Sequence, residues 1–435
     1  MARMTYYAPT EGGETTFTVS ATSMKFGAGC LAELGGDARA LGMSRVALFT
    51  DKHVRDIPPA RTALESLERA GLDVAVYDEI HVEPTDRSFE AATDFAGDGD
   101  FDGYVSLGGG SVIDTAKAAN LYATYPDELL AYVNAPIGHA KPVPGPLKPH
   151  IACPTTSGTG SETTSVCVFD LMAEQVKTGI SSKFLRPTLA LIDPDTTRTL
   201  PAGVVASTGF DVLTHAIESY TARPYTSRPQ PKDPSLRPPY QGANPYSDIG
   251  SLEAIRIGSR YLARAVKDAD DSEAREHLIF AATLAGTAFG NAGVHIPHTM
   301  SYSVAGLNHT FTASGYERDD PMVPHGISVV VNAPAAFRFT AEAVPERHLK
   351  AAEALGADIT GARPNDAGEA LASRFIAMMR ESGIPNGIGA IGYTEADIPA
   401  LVKGAFAQKR LLAQSPLDVT EDDLAALYKD AMSYW

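Results

Sequence analysis

A chain of 435 residues with 44% hydrophobic side chains can bury a large core and has the size of two domains. Its 53 Asp and Glu against 36 Lys and Arg leave a formal net charge of -17, which excludes nucleic acid as an expected partner, because phosphate backbones are held by clustered cations. Three cysteines, Cys30, Cys153 and Cys167, make neither a CxxC pair nor an even disulfide framework.

The stretch MARMTYYAPTEGGETTF has no apolar signal core, and no apolar run reaches the roughly eighteen residues of a membrane span. A cytoplasmic protein with no membrane partner is therefore expected. From there to about residue 195, short apolar runs alternate with helical patterns: SRVALFT near 44–50, DVAVY at 73–77, DGYVSLG at 102–108, HIACP near 150 and TLALID near 188. Strands alternating with helices predict parallel βαβ units. IDPDTTRTLP breaks the pattern, and beyond it LEAIRIGSRYLARAV, HLIFAATLAGTAFG, AGEALASRFIAMMRES and DIPALVKGAF carry apolar residues at three- and four-residue spacing. The fold class expected is thus an α/β domain over 1–200 followed by an all-α domain over 201–435. Seven prolines between Ala222 and Tyr246 predict a long non-helical loop, either a surface excursion or a substrate-pocket or subunit-contact loop offering Arg237, Tyr240, Gln241 and Asn244.

In YVSLGGGSVIDTAK a strand runs into three glycines and then a helix opened by Ser111, with Asp114 three residues later as in a capping box. Glycines let a backbone approach a pyrophosphate, and a helix N-terminus supplies free N-H groups, so Gly109, Gly110 and Ser111 suit a dinucleotide. The same pattern is as often a plain structural turn, and it is not the common GxGxxG fingerprint. CPTTSGTGSETT, with Thr155, Thr156 and Thr159, follows another strand and offers hydroxyls to a phosphate or nicotinamide. Asp51 ends VALFTD where a carboxylate accepts ribose hydroxyls and repels a 2'-phosphate, which favours NAD.

Asp211 and His215 are four apart, so a helix projects both from one face. Such a pair alone is more often a hydrogen-bonded or capping pair. His298 and His325 add two imidazoles, giving a donor set suited to Fe(II), Zn(II), Co(II) or Ni(II), with His295 a competing ligand.

Taken together, GGGSxxDxAK, TTSGTGSE, DxxxHAIE and the PHG element resemble, in order and over nearly the full chain, the iron-containing (group III) alcohol dehydrogenase family. The resemblance implies a Rossmann-like NAD-binding domain, a helical domain of the dehydroquinate synthase-like architecture, and a cleft holding NAD and one divalent metal, Fe(II) or Zn(II). It implies Asp211, His215, His298 and His325 as ligands, and cofactor contacts at Asp51, Gly109, Gly110, Ser111, Asp114, Thr155, Thr156, Thr159 and Lys177. A homo-oligomer is a family-level expectation. With AFxNA as the anchor, Tyr302 stands where many members carry a second histidine, leaving Tyr302 or His295 as proton carrier.

A closer resemblance, carried by NAGVHxxHxMSY, RPxYQGxNPxSD, VPHGxSVV and PERHLxxAExLGAD, is to the hydroxyacid-oxoacid transhydrogenase branch. It implies small-molecule substrates: oxidation of 4-hydroxybutyrate coupled through nicotinamide to reduction of 2-oxoglutarate. The alternatives are a conventional NAD-dependent alcohol dehydrogenase or aldehyde reductase and, further off, a lyase of the dehydroquinate synthase type.

Overall fold

The structure is a computed structural model that describes residues 6–174, 176–234, 237–307, 310–316 and 321–435. It divides into two compact units, Ala21–Leu200 and Pro201–Trp435, the second joined by the N-terminal segment up to Ser20.

The first unit is built on a six-stranded, all-parallel sheet of β1 (Ser23–Phe26), β2 (Arg45–Phe49), β3 (Asp73–Tyr77), β4 (Gly103–Gly108), β5 (His150–Pro154) and β8 (Leu189–Ile192), in the order β1-β8-β5-β4-β2-β3. β4 and β5 are buried at every residue, as strands covered on both faces must be, and their sequences are correspondingly apolar. Along β2 the side chains alternate. Val46 and Leu48 pack with Leu34 of α1 (Leu34–Ala40) and Ala63 and Leu67 of α2 (Pro58–Arg69). Ala47 and Phe49 pack with Ala92 of α3 (Asp86–Asp98) and with Val112 and Ala116 of α4 (Gly110–Thr124).

After β2 the chain steps outward to β3 and then returns to β4 on the other side of β2, so the strand order reverses between β2 and β4. In open α/β sheets ligands bind outside the carboxyl ends of the strands at such a reversal. Asp51 follows one of these two strands and Gly109 the other. An element absent from the sequence expectation is an antiparallel hairpin, β6 (Val166–Leu171) with β7 (Val176–Ser181), placed between two parallel strands.

The second unit is helical. Its centre is α5 (Ala202–Thr221), buried from Val204 to Thr221 apart from Thr208, a core helix enclosed nearly all round whose buried side chains include a polar face. Against it lie α6 (Pro245–Lys267) and α7 (Ser272–Ala292); a Cβ at Gly209 would come within 2.3 Å of Leu262, and one at Gly258 within 2.6 Å of Leu213, so glycine sets how closely α5 and α6 approach. Then come α8 (Ile296–Leu307), α9 (His325–Val330), α10 (Ala333–Thr340), α11 (Pro345–Ala354), α12 (Ala367–Glu381), α13 (Ile398–Phe406) and α14 (Glu421–Asp430). Among the described residues no single helix is long and apolar enough to cross a membrane.

The proline-rich stretch is a strap for the N-terminal segment. The Gln241 side chain accepts from Thr18 N at 2.9 Å and donates to Thr18 O at 3.0 Å, and Arg237 pairs with Glu14 at 2.8 Å. Asn244 caps α6 by accepting from Ser247 N. Arg237, Gln241 and Asn244, which the sequence offered to a substrate, are thus engaged inside this unit, as is Ser20 N with Asn291 Oδ1 at 2.8 Å.

Candidate metal centre and cofactor turn

α5 carries Asp211, His215 and Glu218 on one face at i, i+4 and i+7. His298 comes from the first turn of α8, and His325 opens α9 behind Pro324. One donor atom from each of Asp211, His215, His298 and His325 lies within 4.8 Å of all the others. From Asp211 Oδ1 the distances are 3.5 Å to His298 Nε2, 3.7 Å to His215 Nε2 and 4.0 Å to His325 Nε2. A tetrahedral set with bonds of about 2.1 Å has donor atoms about 3.4 Å apart, close to these separations. Asp211 Oδ1 and His298 Nε2 are also buried without a hydrogen-bond partner, a costly state unless a cation joins them. The residues therefore fit a divalent metal.

The local folding that aims these donors is specific. The His215 ring stacks on Phe289 at 4.0 Å and on His298 at 4.4 Å. Gly326 lies against α5 so tightly that a Cβ there would stand 2.2 Å from Ser207 O, which brings α9 and His325 up to Asp211. Side-chain exposure is 24% for His325 against 5% or less for the other three, so the set opens to solvent on the His325 side.

Glu218, which the residue-by-residue reading passed over, organises the other side. Its Oε1 accepts from the backbone N-H groups of His295 (2.8 Å) and His298 (3.3 Å) at the start of α8, and its Oε2 meets His298 Nδ1. A carboxylate on the far nitrogen of a ligating imidazole fixes its tautomer and its direction. The one signal in the sequence was its place three residues after His215 on the same helical face.

Electrostatics sharpen the set. Burial alone would raise the Asp211 carboxyl, but the imidazoles of His215, His325 and His298 outweigh it and hold it well below the usual carboxylate range. Burial pushes His215 down to about 3, leaving it neutral. His298 is also buried, yet the carboxylates of Glu218 and Asp211 prevail and raise it to about 9.

His295 is fully buried behind Glu218, with Nε2 3.1 Å from Thr221 Oγ1, and is not among the four clustered donors. Burial depresses its pKa to about 4. Tyr302 lies one turn beyond His298 on α8 and is buried.

In the sheet unit, Gly109 and Gly110 lie against the second Thr-rich turn: a Cβ on Gly110 would reach 2.6 Å from Thr159, and one on Gly109 3.2 Å from Thr156. Thr155 N bonds Gly108 O at 3.0 Å, joining the two turns at their bases. Ser111 Oγ accepts from Glu83 N at 3.1 Å, and Asp51 Oδ1 accepts from His53 N and Val54 N, capping the short helix Lys52–Arg55. The expected Ser111–Asp114 capping box is not formed. α4 starts at Gly110 with Gly109 as N-cap, and Asp114 turns inward to accept from Val168 N at 2.9 Å beside Lys117. Lys177 is buried on β7 between Glu83 (2.9 Å) and Asp170 (3.0 Å), away from solvent.

The chain is 50% identical over 428 residues, 97% of its own length and 92% of the relative's, to "Hydroxyacid-oxoacid transhydrogenase, mitochondrial" of Bos taurus. That designation overturns the expectation of a cytoplasmic protein, which rested on an inconspicuous N-terminal stretch. Among solved structures, 1,3-propanediol oxidoreductase superposes with a TM-score of 0.83 at 29% identity, covering 96% of this chain and 100% of that one. Sulfoacetaldehyde reductase from Bifidobacterium kashiwanohense, in complex with NAD+, superposes with a TM-score of 0.79 at 25% identity, covering 97% and 100%. The family model for iron-containing alcohol dehydrogenase matches residues 21–194 and that for the C-terminal part of the Fe-containing alcohol dehydrogenase family matches 240–432; the chain belongs to the iron-containing alcohol dehydrogenase family.

Proposed function

We propose that this protein is a metal-dependent hydroxyacid-oxoacid transhydrogenase, moving hydride from a hydroxy acid such as 4-hydroxybutyrate, through a nicotinamide, to an oxo acid such as 2-oxoglutarate. The observation that carries the reading is the buried Asp211, His215, His298, His325 cluster in a chain half identical to a transhydrogenase over 97% of its length.

The metal, Fe(II) ahead of Zn(II) on the family's iron-containing description and not on the donor set, which suits both, would supply Lewis acidity toward an alcohol or carbonyl oxygen. The protein's own part is to place and charge. Asp211 and the neutral His215 present lone pairs at neutral pH, while Glu218 keeps His298 Nε2 facing them. The more exposed His325 marks the side from which a small substrate arrives. Tyr302, one turn from His298, is the proposed proton donor to the substrate oxygen, a role that His295 behind Glu218 is poorly placed to share. Gly109 and Gly110 accommodate the pyrophosphate of NAD at the N-terminus of α4, and Asp51 takes the ribose hydroxyls. A homo-oligomer, dimer or larger, belongs to the same reading and is checked by light scattering.

The test is made on anaerobically purified, metal-loaded protein given 4-hydroxybutyrate with and without 2-oxoglutarate, following 2-hydroxyglutarate and free NADH together. Stoichiometric 2-hydroxyglutarate over many turnovers is expected. NADH accumulating with added NAD, indifferent to the oxo acid, returns the protein to the conventional dehydrogenases among its structural neighbours.

A further inference from the structure

α6 turns one face to solvent. Ile249, Glu253, Arg256 and Arg260 recur along it at three- and four-residue spacing and all are exposed, so they form one stripe. Ile249, at 63%, is the most exposed large hydrophobic side chain among the described residues. Tyr246, one turn before it, and Phe280, on the adjoining α7, are exposed at 45% and 38%. A single surface isoleucine needs no explanation, but three large apolar side chains on two packed helices mark a contact surface. Further along the same stripe lies a groove of about 360 Å³ whose lining includes Ile257, Tyr261 and Phe280, with the exposed Glu253, Arg256 and Arg260 beside them. The His277 ring stacks on Tyr261 at 4.2 Å and stiffens one wall.

A projecting side chain and a groove on the same face of one molecule are what a two-fold contact needs, because there a patch meets its own copy. When two copies of α6 run antiparallel about an axis midway between Glu253 and Arg256, Glu253 of each faces Arg256 of the other. The same register brings Ile249, four residues before Glu253, to the level of Arg260, four residues after Arg256, within the stretch of α6 that lines the groove. One placement therefore satisfies both the charges and the shape. Glu253 and Arg256 already pair at 3.1 Å inside the chain, so two copies close an alternating ring of four charges. Arg264 is likewise paired with Asp271 and Glu273, and Lys267 with Glu381. The face thus carries balanced charge, in a chain whose net -17 opposes contact elsewhere between copies.

We propose that this face of α6 is an isologous interface between two copies of the chain, in which Ile249 of each enters the groove of the other and Glu253 meets Arg256 across the two-fold axis. The interface concerns assembly, so its failure leaves the hydride-transfer reading standing.

Sedimentation equilibrium of the full-length, metal-loaded protein at micromolar concentration tests it. Ile249→Asp is expected to weaken self-association at least about tenfold with metal content unchanged. Arg256→Glu, which sets acid against acid at the axis, should do the same. The double exchange Glu253→Arg/Arg256→Glu restores opposite charges in reversed order and should recover the assembly, which separates a lost contact from a lost fold. Ile249→Cys/Arg260→Cys should be joined into a covalent dimer by a short bismaleimide that leaves the wild type unlinked, since Cys30, Cys153 and Cys167 are buried. A wild type that stays monomeric, leaving the patch to some other partner, overturns the proposal. So does an assembly indifferent to Ile249→Asp and Arg256→Glu, or a double exchange that fails to restore what Arg256→Glu lost.

Discussion

Glu218 holds His298 and the first turn of α8 with the two oxygens of one carboxylate, so its removal should be felt at the metal although it donates nothing to it. Glu218→Gln is expected to lower metal affinity about 10- to 100-fold, measured by competition with a chelator. Asp211→Ala and His298→Ala should lose metal and activity together; full activity with an empty site would sink the assignment. The His298 pKa adds a pH dependence of definite sign. With the imidazole raised to about 9 in the metal-free protein, its Nε2 carries a proton at neutral pH that a metal must displace. Metal uptake at pH 7 should therefore release about one proton, and apparent affinity should climb about tenfold per pH unit before levelling near 9. A flat affinity between pH 6 and 8 contradicts that. At this scale the sequence was readable where donors share a helix: four-residue spacing marks Asp211 and His215. It showed Glu218 only as the last letter of DxxxHAIE on the same helical face and gave it no role, because a buried carboxylate has no meaning until a second helix brings its partners, and those arrive from residues nearly eighty positions later.

Helices and turns bring the donors into place through glycine contacts that leave no space for a methyl group. Gly326→Ala would press a Cβ toward Ser207 O, and the overpacking should cost on the order of 1–3 kcal/mol of stability while moving His325 off the cluster. Denaturant unfolding and metal affinity should both register it. Gly110→Ala meets Thr159, a side chain able to give way, so its expected effect is a raised KM for NAD with stability little changed. Parallel strands were legible as apolar runs because both faces of β4 and β5 are covered. The β6–β7 hairpin was not: β6 (VCVFDL) has an apolar run of its own, but β7 (VKTGIS), with Lys177, Thr178 and Gly179 at its centre, gives no matching signal to pair it with. The expected capping box failed for a related reason: Asp114 found Val168 N, on a hairpin the pattern did not reveal, and Lys117 one turn further along its own helix.

For the whole molecule, all four proposed ligands lie in the helical unit, and the nine positions at which the resemblance implied NAD contacts lie in the sheet unit. Chelating the metal should accordingly speed amide hydrogen exchange in α5, α8 and α9 and leave α4 unaltered. Equal acceleration in α4 would contradict that division. The compact units meet in the chain at Leu200, and the membership of residues up to Ser20 in the helical one was invisible in the sequence, because hydrogen bonds to Gln241 and Asn291 span more than two hundred positions. That long-range pairing also dictates an order of events during synthesis. The sheet unit is one uninterrupted stretch and can complete itself on the ribosome once residue 200 has emerged, while the helical unit needs the segment up to Ser20 together with residues beyond Pro201. The proposed metal pocket, with donors spread from Asp211 to His325, can then mature only after the sheet unit, so a nascent chain that already has that unit still cannot retain an ion.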